Sequence, residues 1–203
     1  MKKLLLILLM SGAIFPKSNA QDIVVKSNLL YDLTTTLNLG AEIGLDEQWT
    51  LDLPINLNPW KFNGTTGIRH WGIQPEVKYW FNERFDRSFI GLHTLYSDFN
   101  VGEWSLFSDN MQNNRYQGHL FGIGFSYGYV WKLNNRWLLE ASLGIGYVHT
   151  EYEKYPCTTC GSMIKEGHKN YFGPTKMALS LIYIIKQKQD EKENKINPYS
   201  IIN

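Results

Sequence analysis

Phe121-Gly122-Ile123-Gly124-Phe125-Ser126-Tyr127-Gly128-Tyr129-Val130-Trp131 is the stretch whose reading decides the fold. Large apolar side chains hold the odd positions; glycine, serine and valine hold the even ones. A period of two means extended chain with one bulky face and one small face. The next segment repeats the pattern, with Trp137, Leu139, Ala141, Leu143, Ile145 and Tyr147 alternating with Leu138, Glu140, Ser142, Gly144, Gly146 and Val148. A third sets Gly173, Thr175, Met177, Leu179, Leu181, Tyr183 and Ile185 against Pro174, Lys176, Ala178 and Ser180. No helical period of 3.6 competes. Outward from this core, strands are predicted near residues 23–33, 36–45, 48–58, 70–81, 88–97, 116–132, 136–152 and 171–186.

The pieces between strands alternate in length. Tight turns fall at Asp46-Glu47, Asn82 to Arg87 and Leu133-Asn134-Asn135. Longer polar connections fall at Pro59 to Arg69, Asp98 to Arg115 and Glu153 to Asn170, with the short Thr34-Thr35-Thr36 on the same side. Short turns at one end and long loops at the other describe an eight-stranded antiparallel up-and-down transmembrane β-barrel of the outer-membrane type. Aromatic residues gather accordingly. Trp49, Tyr79, Phe81, Trp131, Trp137 and Tyr183 lie near the tight turns, and Tyr31, Trp60, Trp71, Tyr96 and Tyr147 near the loops, as two interfacial girdles would require. The alternative is a soluble barrel or sandwich with its aromatics inside, because alternation alone does not say which face is wet.

Residues 1–20 read as a signal peptide: Lys2 and Lys3, an apolar run from Leu4 to Phe15, then Ser18-Asn19-Ala20 before Gln21. A membrane anchor is the competing reading, but the run is short for a span. The expected domains are this leader, the barrel over 21–186, and a charged periplasmic tail over 187–203 that is expected to be disordered. Without Lys2, Lys3 and Lys17, the 20 basic residues of the 203-residue chain fall to 17, against 19 acids. That balance argues against a nucleic-acid partner. Low charge (19%) with many aromatics (14%) argues against disorder of the whole.

If the apolar face meets lipid, the other face lines the lumen. It carries Lys26, Asn28, Glu42, Asp52, Gln74, Glu76, Lys78, Glu140 and Lys176: four acids and three bases. Eight strands enclose only enough room for side chains, and isolated buried charge is costly. A salt-bridged plug is therefore expected rather than an open pore, with Glu76, Glu140 and Lys176 sharing a network. The glycines at 122, 124, 128, 144 and 146 are expected to make room for it.

Several runs carry a resemblance. They are Lys26-Ser27-Asn28-Leu29-Leu30-Tyr31-Asp32, Thr34-Thr35-Thr36, Asn38-Leu39-Gly40 and Trp49-Thr50-Leu51-Asp52-Leu53. Asn58-Pro59-Trp60, Arg69-His70-Trp71 through Gln74-Pro75-Glu76, and Asn100-Val101-Gly102 complete the set. Over roughly residues 22–186 the chain resembles a Bacteroidetes family of small exported barrels of unknown function. That resemblance implies an OmpA- or OmpX-like barrel, often encoded near fimbrillin genes. It carries no activity. The last strand partly resembles an outer-membrane assembly signal, with Ala178 where glycine is usual.

Two motifs could carry chemistry. Cys157-Thr158-Thr159-Cys160 is a lone CxxC. A local disulfide suits an oxidising compartment; metal binding would need further ligands, and a thioredoxin-like role would need a βαβ setting. His119 and His149 follow the outward parity. If the turn at 133–135 pairs Trp131 with Trp137, they face each other across a hairpin at the outer interface. They would there touch lipid headgroups, or serve as a catalytic histidine of a lipid A deacylase-like enzyme, although triad logic asks for an acid and a nucleophile. No cofactor and no metal are expected. The functional expectation is a non-enzymatic, monomeric outer-membrane barrel that meets outer-membrane lipid and presents loops to fimbrial or other surface proteins. Glu103, Trp104, Phe107, Met111 and Tyr116 of the middle loop offer apolar contacts. A lipid-modifying enzyme and a soluble lipocalin-like carrier are the alternatives.

Overall fold

The structure is a computed structural model that describes residues 22–60, 67–102, 114–156 and 163–186. The leader, Cys157 and Cys160, the middle-loop residues 103–113 and the tail lie outside the described residues. The elements in order are β1 (Ile23–Asn28), α1 (Leu29–Leu33), β2 (Leu37–Gly44), β3 (Trp49–Asn58), β4 (Gly67–Ile73), β5 (Glu76–Trp80), β6 (Arg87–Gly102), β7 (Asn114–Lys132), β8 (Trp137–Pro156) and β9 (Lys165–Lys186). Every pairing is antiparallel, and β9 returns to β1, so the sheet closes. Both β4 and β5 lie between β3 and β6, end to end. They are two halves of one barrel strand, and the closed up-and-down barrel has eight strands. The interruption is Gln74-Pro75, where proline has no N–H for the ladder. Bonds from Gln74 N–H to the Pro54 carbonyl (3.3 Å) and from Thr94 N–H to the Pro75 carbonyl (3.0 Å) carry pairing across it.

The alternation reads out directly as burial. Lys78, Glu42, Glu76 and Glu140 are almost fully buried, while Phe125 is 70% exposed, Met177 67% and Leu143 64%. The barrel's exterior is largely apolar and its interior carries the charges. The apolar residues that are buried cluster at the tight-turn end: Val24, Trp80, Phe85, Phe89, Val130, Leu138 and Ile182. Trp80 packs on Phe89 (4.8 Å between centroids) and Phe85 (5.6 Å). Phe85 reaches this plug from the turn after β5 with φ 62°, and Arg87 follows with φ 60°. Left-handed backbone at bulky residues costs on the order of 1–3 kcal/mol each. Burial of the Phe85 ring and the Arg84–Asp22 ion pair beneath the barrel offset it.

Three local expectations change. The strand predicted over 23–33 stops at Asn28, because the Asn28 side chain accepts from Leu30 N–H (3.1 Å) as an N-cap and also from Leu179 N–H (3.1 Å). Tyr31 consequently lines the lumen mouth rather than an outer girdle. The long connections are shorter than read: β6, β7, β8 and β9 run on through polar residues to Gly102, from Asn114, to Pro156 and from Lys165. Polar residues hide a strand from a hydrophobicity reading but do not prevent its backbone ladder. Finally, Trp131 pairs with Leu139, not Trp137. The Asn134 side chain accepts from Arg136 and Trp137 N–H (both 2.9 Å), which moves the turn one residue on and preserves the facing parity.

Candidate functional site

Two clusters of charged side chains stand on opposite faces of the barrel wall. The inner one contains all seven charged lumen residues read from the sequence, each buried. Lys78 Nζ donates to Glu42 (2.9 Å) and Glu140 (2.7 Å); Lys26 Nζ lies 2.9 Å from Glu42, 2.5 Å from Asp52 and 3.5 Å from Glu140. Thr50 Oγ1 donates to Glu42 (2.5 Å), and Trp80 Nε1–H donates to Thr50 (2.9 Å), tying this layer to the apolar plug. Lys78 also sits over the Phe89 ring at 4.3 Å. A second layer pairs Lys176 with Glu76, which also accepts from Ser126. Glu140 therefore belongs with Lys26 and Lys78, and the expected Glu76–Glu140–Lys176 network divides into two.

The strands supply room at specific points. A side chain at Gly40 would meet Lys26, and one at Gly91 would collide with Glu76 and Ser126. Of the glycines read from the sequence, Gly144 gives way to Lys176 as well as to His93, while Gly124 gives way to His93 and Gly128 to the Phe89 ring. His93 was not foreseen. It is buried against Thr175 (2.9 Å), which the bulge between Gly144 and Ile145 leaves unpaired. The adjoining space at the level of Asp52 and Lys176 measures about 30 Å³, room for about one or two waters.

The outer cluster lies above the apolar belt. Pairing places Trp71, Asp98, His119, Glu151 and His168 in one row across five strands. His119 therefore faces Glu151 rather than His149, which faces Phe121. Glu151 still brings the histidines together: it lies 3.3 Å from His119 Nε2 and 3.6 Å from His149 Nε2. His149 Nδ1 bonds Asn170 Oδ1 at 2.7 Å. The rings of His149 and His168 stack at 6.1 Å, and those of Tyr96 and His119 at 6.4 Å. One row higher, Tyr155 (2.7 Å) and Gln117 (3.0 Å) donate to Glu153, and these bonds, with that from Tyr155 foremost, hold its carboxyl below the ordinary range. The surface between is an open concavity of about 740 Å³.

Residues 4–185 match a domain family described as a protein of unknown function, DUF3575. The chain belongs to the DUF3575 family. The match includes every residue of both clusters. No curated protein and no solved structure matches the chain.

In this DUF3575 barrel the inner cluster is turned in on itself: its cations and carboxylates form ion pairs with each other inside the barrel, although the buried Asp52 carboxylate has no hydrogen-bond partner. The outer cluster is chemically available, with imidazole and carboxylate groups turned to the exterior. Asp98, His168 and Asn170 escaped the sequence reading because they fell in segments taken for loops; Glu151 lay at the end of the strand predicted over 136–152 but was not singled out. Their signal was present as parity: Glu151 continues the odd-numbered outward series of Tyr147 and His149.

Proposed function

We propose that this DUF3575 chain is a non-enzymatic outer-membrane barrel that presents its long hairpins for surface interaction or fimbria-associated assembly. The observation that carries the membrane reading is the outward belt. On β8 it runs from Trp137 through Leu139, Ala141, Leu143 and Ile145 to Tyr147, ten residue steps. At ~3.3 Å per step and a tilt of ~40°, that is about 25 Å of height, the thickness of the apolar band of such barrels. Tilted aromatic pairs edge it: Trp137 with Tyr183 (4.9 Å) and Trp49 with Tyr79 (5.0 Å) below, Trp71 with Tyr96 (5.7 Å) above. Below the edge come Arg136 and Asn134; above it come the histidines and acids of the outer cluster. A filled lumen speaks against a lipocalin-like carrier. The long hairpins above the belt support the interaction reading, since rigid scaffolds carry binding segments at such tips. Fractionation tests the location: the protein should stay with outer membranes through carbonate washing and migrate faster in unheated than in heated gels. Recovery in a detergent-free soluble fraction would overturn the reading.

A lipid-modifying enzyme has one observation in its favour, the Glu151 carboxylate between His119 and His149. Their partners here are Glu151 and Asn170, not a serine, so the arrangement lacks the nucleophile of a triad. A His149→Ala strain with altered lipid A by mass spectrometry would favour that reading over ours.

A further inference from the structure

We propose that the outer mouth of the lumen binds a small protonated primary amine, with the Asp52 carboxylate as its counter-ion. A charge count comes first. Glu42, Asp52 and Glu140 share Lys26 and Lys78, while Glu76 pairs with Lys176. Three acids against two bases leave one negative charge over in the first layer. Hydrogen bonding locates that surplus. Glu42 accepts from Lys26, Lys78 and Thr50, and Glu140 from Lys26 and Lys78. Asp52 is 1% exposed, and neither of its carboxylate oxygens has a hydrogen-bond partner, although Oδ2 lies 2.5 Å from Lys26 Nζ as an ion pair. A buried carboxylate in that condition has lost its hydration without recovering it. His93 can also carry a positive charge, but it approaches Glu76 (4.0 Å) rather than Asp52.

The surroundings suit an ammonium head. Asp52 lines the cavity of about 30 Å³ at the lumen mouth, together with Tyr31, Asn56 and Gln74. The same three residues line a second cavity of about 90 Å³ that continues to His70 and Ser97. The first space holds a group of water size, such as an ammonium, and the second has room for a short carbon body. Gln74 Nε2 donates to the Thr175 carbonyl (3.1 Å), which leaves its Oε1 to accept from the ligand. Lys26 and Lys176 line the first cavity too, yet both are engaged by carboxylates, and the layer around Asp52 remains net negative. Gly40 keeps the space open: a Cβ there would come within 2.9 Å of Lys26 Cγ and 3.6 Å of Asp52 Oδ1. A metal ion does not fit, because among the described residues no three acid, histidine or cysteine side chains are placed to hold one. An ammonium instead brings N–H donors, which is what an acceptor-only carboxylate beside amide oxygens lacks.

The test is a titration of methylammonium chloride into the folded full barrel in detergent, at an ionic strength held constant with sodium chloride, followed by backbone amide shifts in NMR spectra. Saturable shifts are expected at Gly40 and Asn56. Tetramethylammonium, which has no N–H to donate, should not reproduce them. Asp52→Asn should weaken the site about tenfold or more, the worth of one hydrogen bond to a charged group, and should still fold, because it removes the surplus charge. Gly40→Ala narrows the cavity while leaving every charge in place; it should weaken binding too, and it carries the test if Asp52→Asn does not fold. Glu151→Gln should change nothing, which separates the lumen from the acids of the outer surface. Heat-dependent gel migration checks that each variant is folded. Absence of saturable shifts in the parent, equal shifts with tetramethylammonium, binding that survives Asp52→Asn (or Gly40→Ala in its stead), or loss with Glu151→Gln would each overturn the proposal.

Discussion

Lys78 with Glu140 and His119 with Glu151 are both acid–base pairs between strands, at 2.7 and 3.3 Å, yet they do opposite work. The inner pair has no solvent: Lys78 is 0% exposed and Glu140 1%. The outer pair is more than half exposed on each side. Inside, each charge depends on its partner because water cannot replace it. Outside, water competes with the partner, and the pair adds at most ~1 kcal/mol. The inner charges therefore couple the strands that close the barrel, whereas the outer ones remain exposed to solvent. The same residue types acquire structural or functional meaning from the face they occupy.

That contrast can be broken most forcefully at Lys78. Lys78→Met leaves Lys26 as the one base beside Glu42, Asp52 and Glu140 and should lower stability by about 3–5 kcal/mol, read as a shift of the urea midpoint in lipid vesicles by tryptophan fluorescence. A loss under ~1 kcal/mol would mean that water reaches the lumen and screens it. Lys176 sharpens the comparison. Lys176→Met alone should destabilise by a few kcal/mol, whereas Lys176→Met with Glu76→Gln should recover most of it, because the second change removes the stranded charge. Equal losses in the single and double variants would exclude a true ion pair there. The smallest effect belongs to the outer cluster: Glu151→Gln should shift the midpoint by less than about 1 kcal/mol. A loss comparable to that of Lys78→Met would show that the two faces are not energetically distinct.

Much of this architecture is legible along the chain. The strict alternation from Phe121 to Trp131 forces strands, because only a period of two puts every aromatic on one side. The lumen charges were legible for the same reason: Glu42, Asp52, Lys78 and Glu140 each fall on the parity opposite the apolar series. Pro75 was visible, but its effect needed the neighbours, since only β3 and β6 reveal that β4 and β5 continue one another. Asn28 illustrates the limit differently. Nothing in Leu29-Leu30-Tyr31 announces a helical turn; the strand ends there because Asn28 caps it while bonding Leu179, 151 residues away.

Pattern along the chain by itself determined the strand class, the number of strands and which side chains share a face, since these depend on period and turn spacing, which are local. Only the tertiary structure decided who pairs with whom. Whether Lys176 meets Glu76 or Glu140, and whether His119 meets His149 or Glu151, depends on register and on closure of β9 against β1. Register turned on a single side chain, Asn134, moving one turn by one residue. Such a shift preserves every face and changes every partner, because facing repeats each second residue while pairing does not repeat at all.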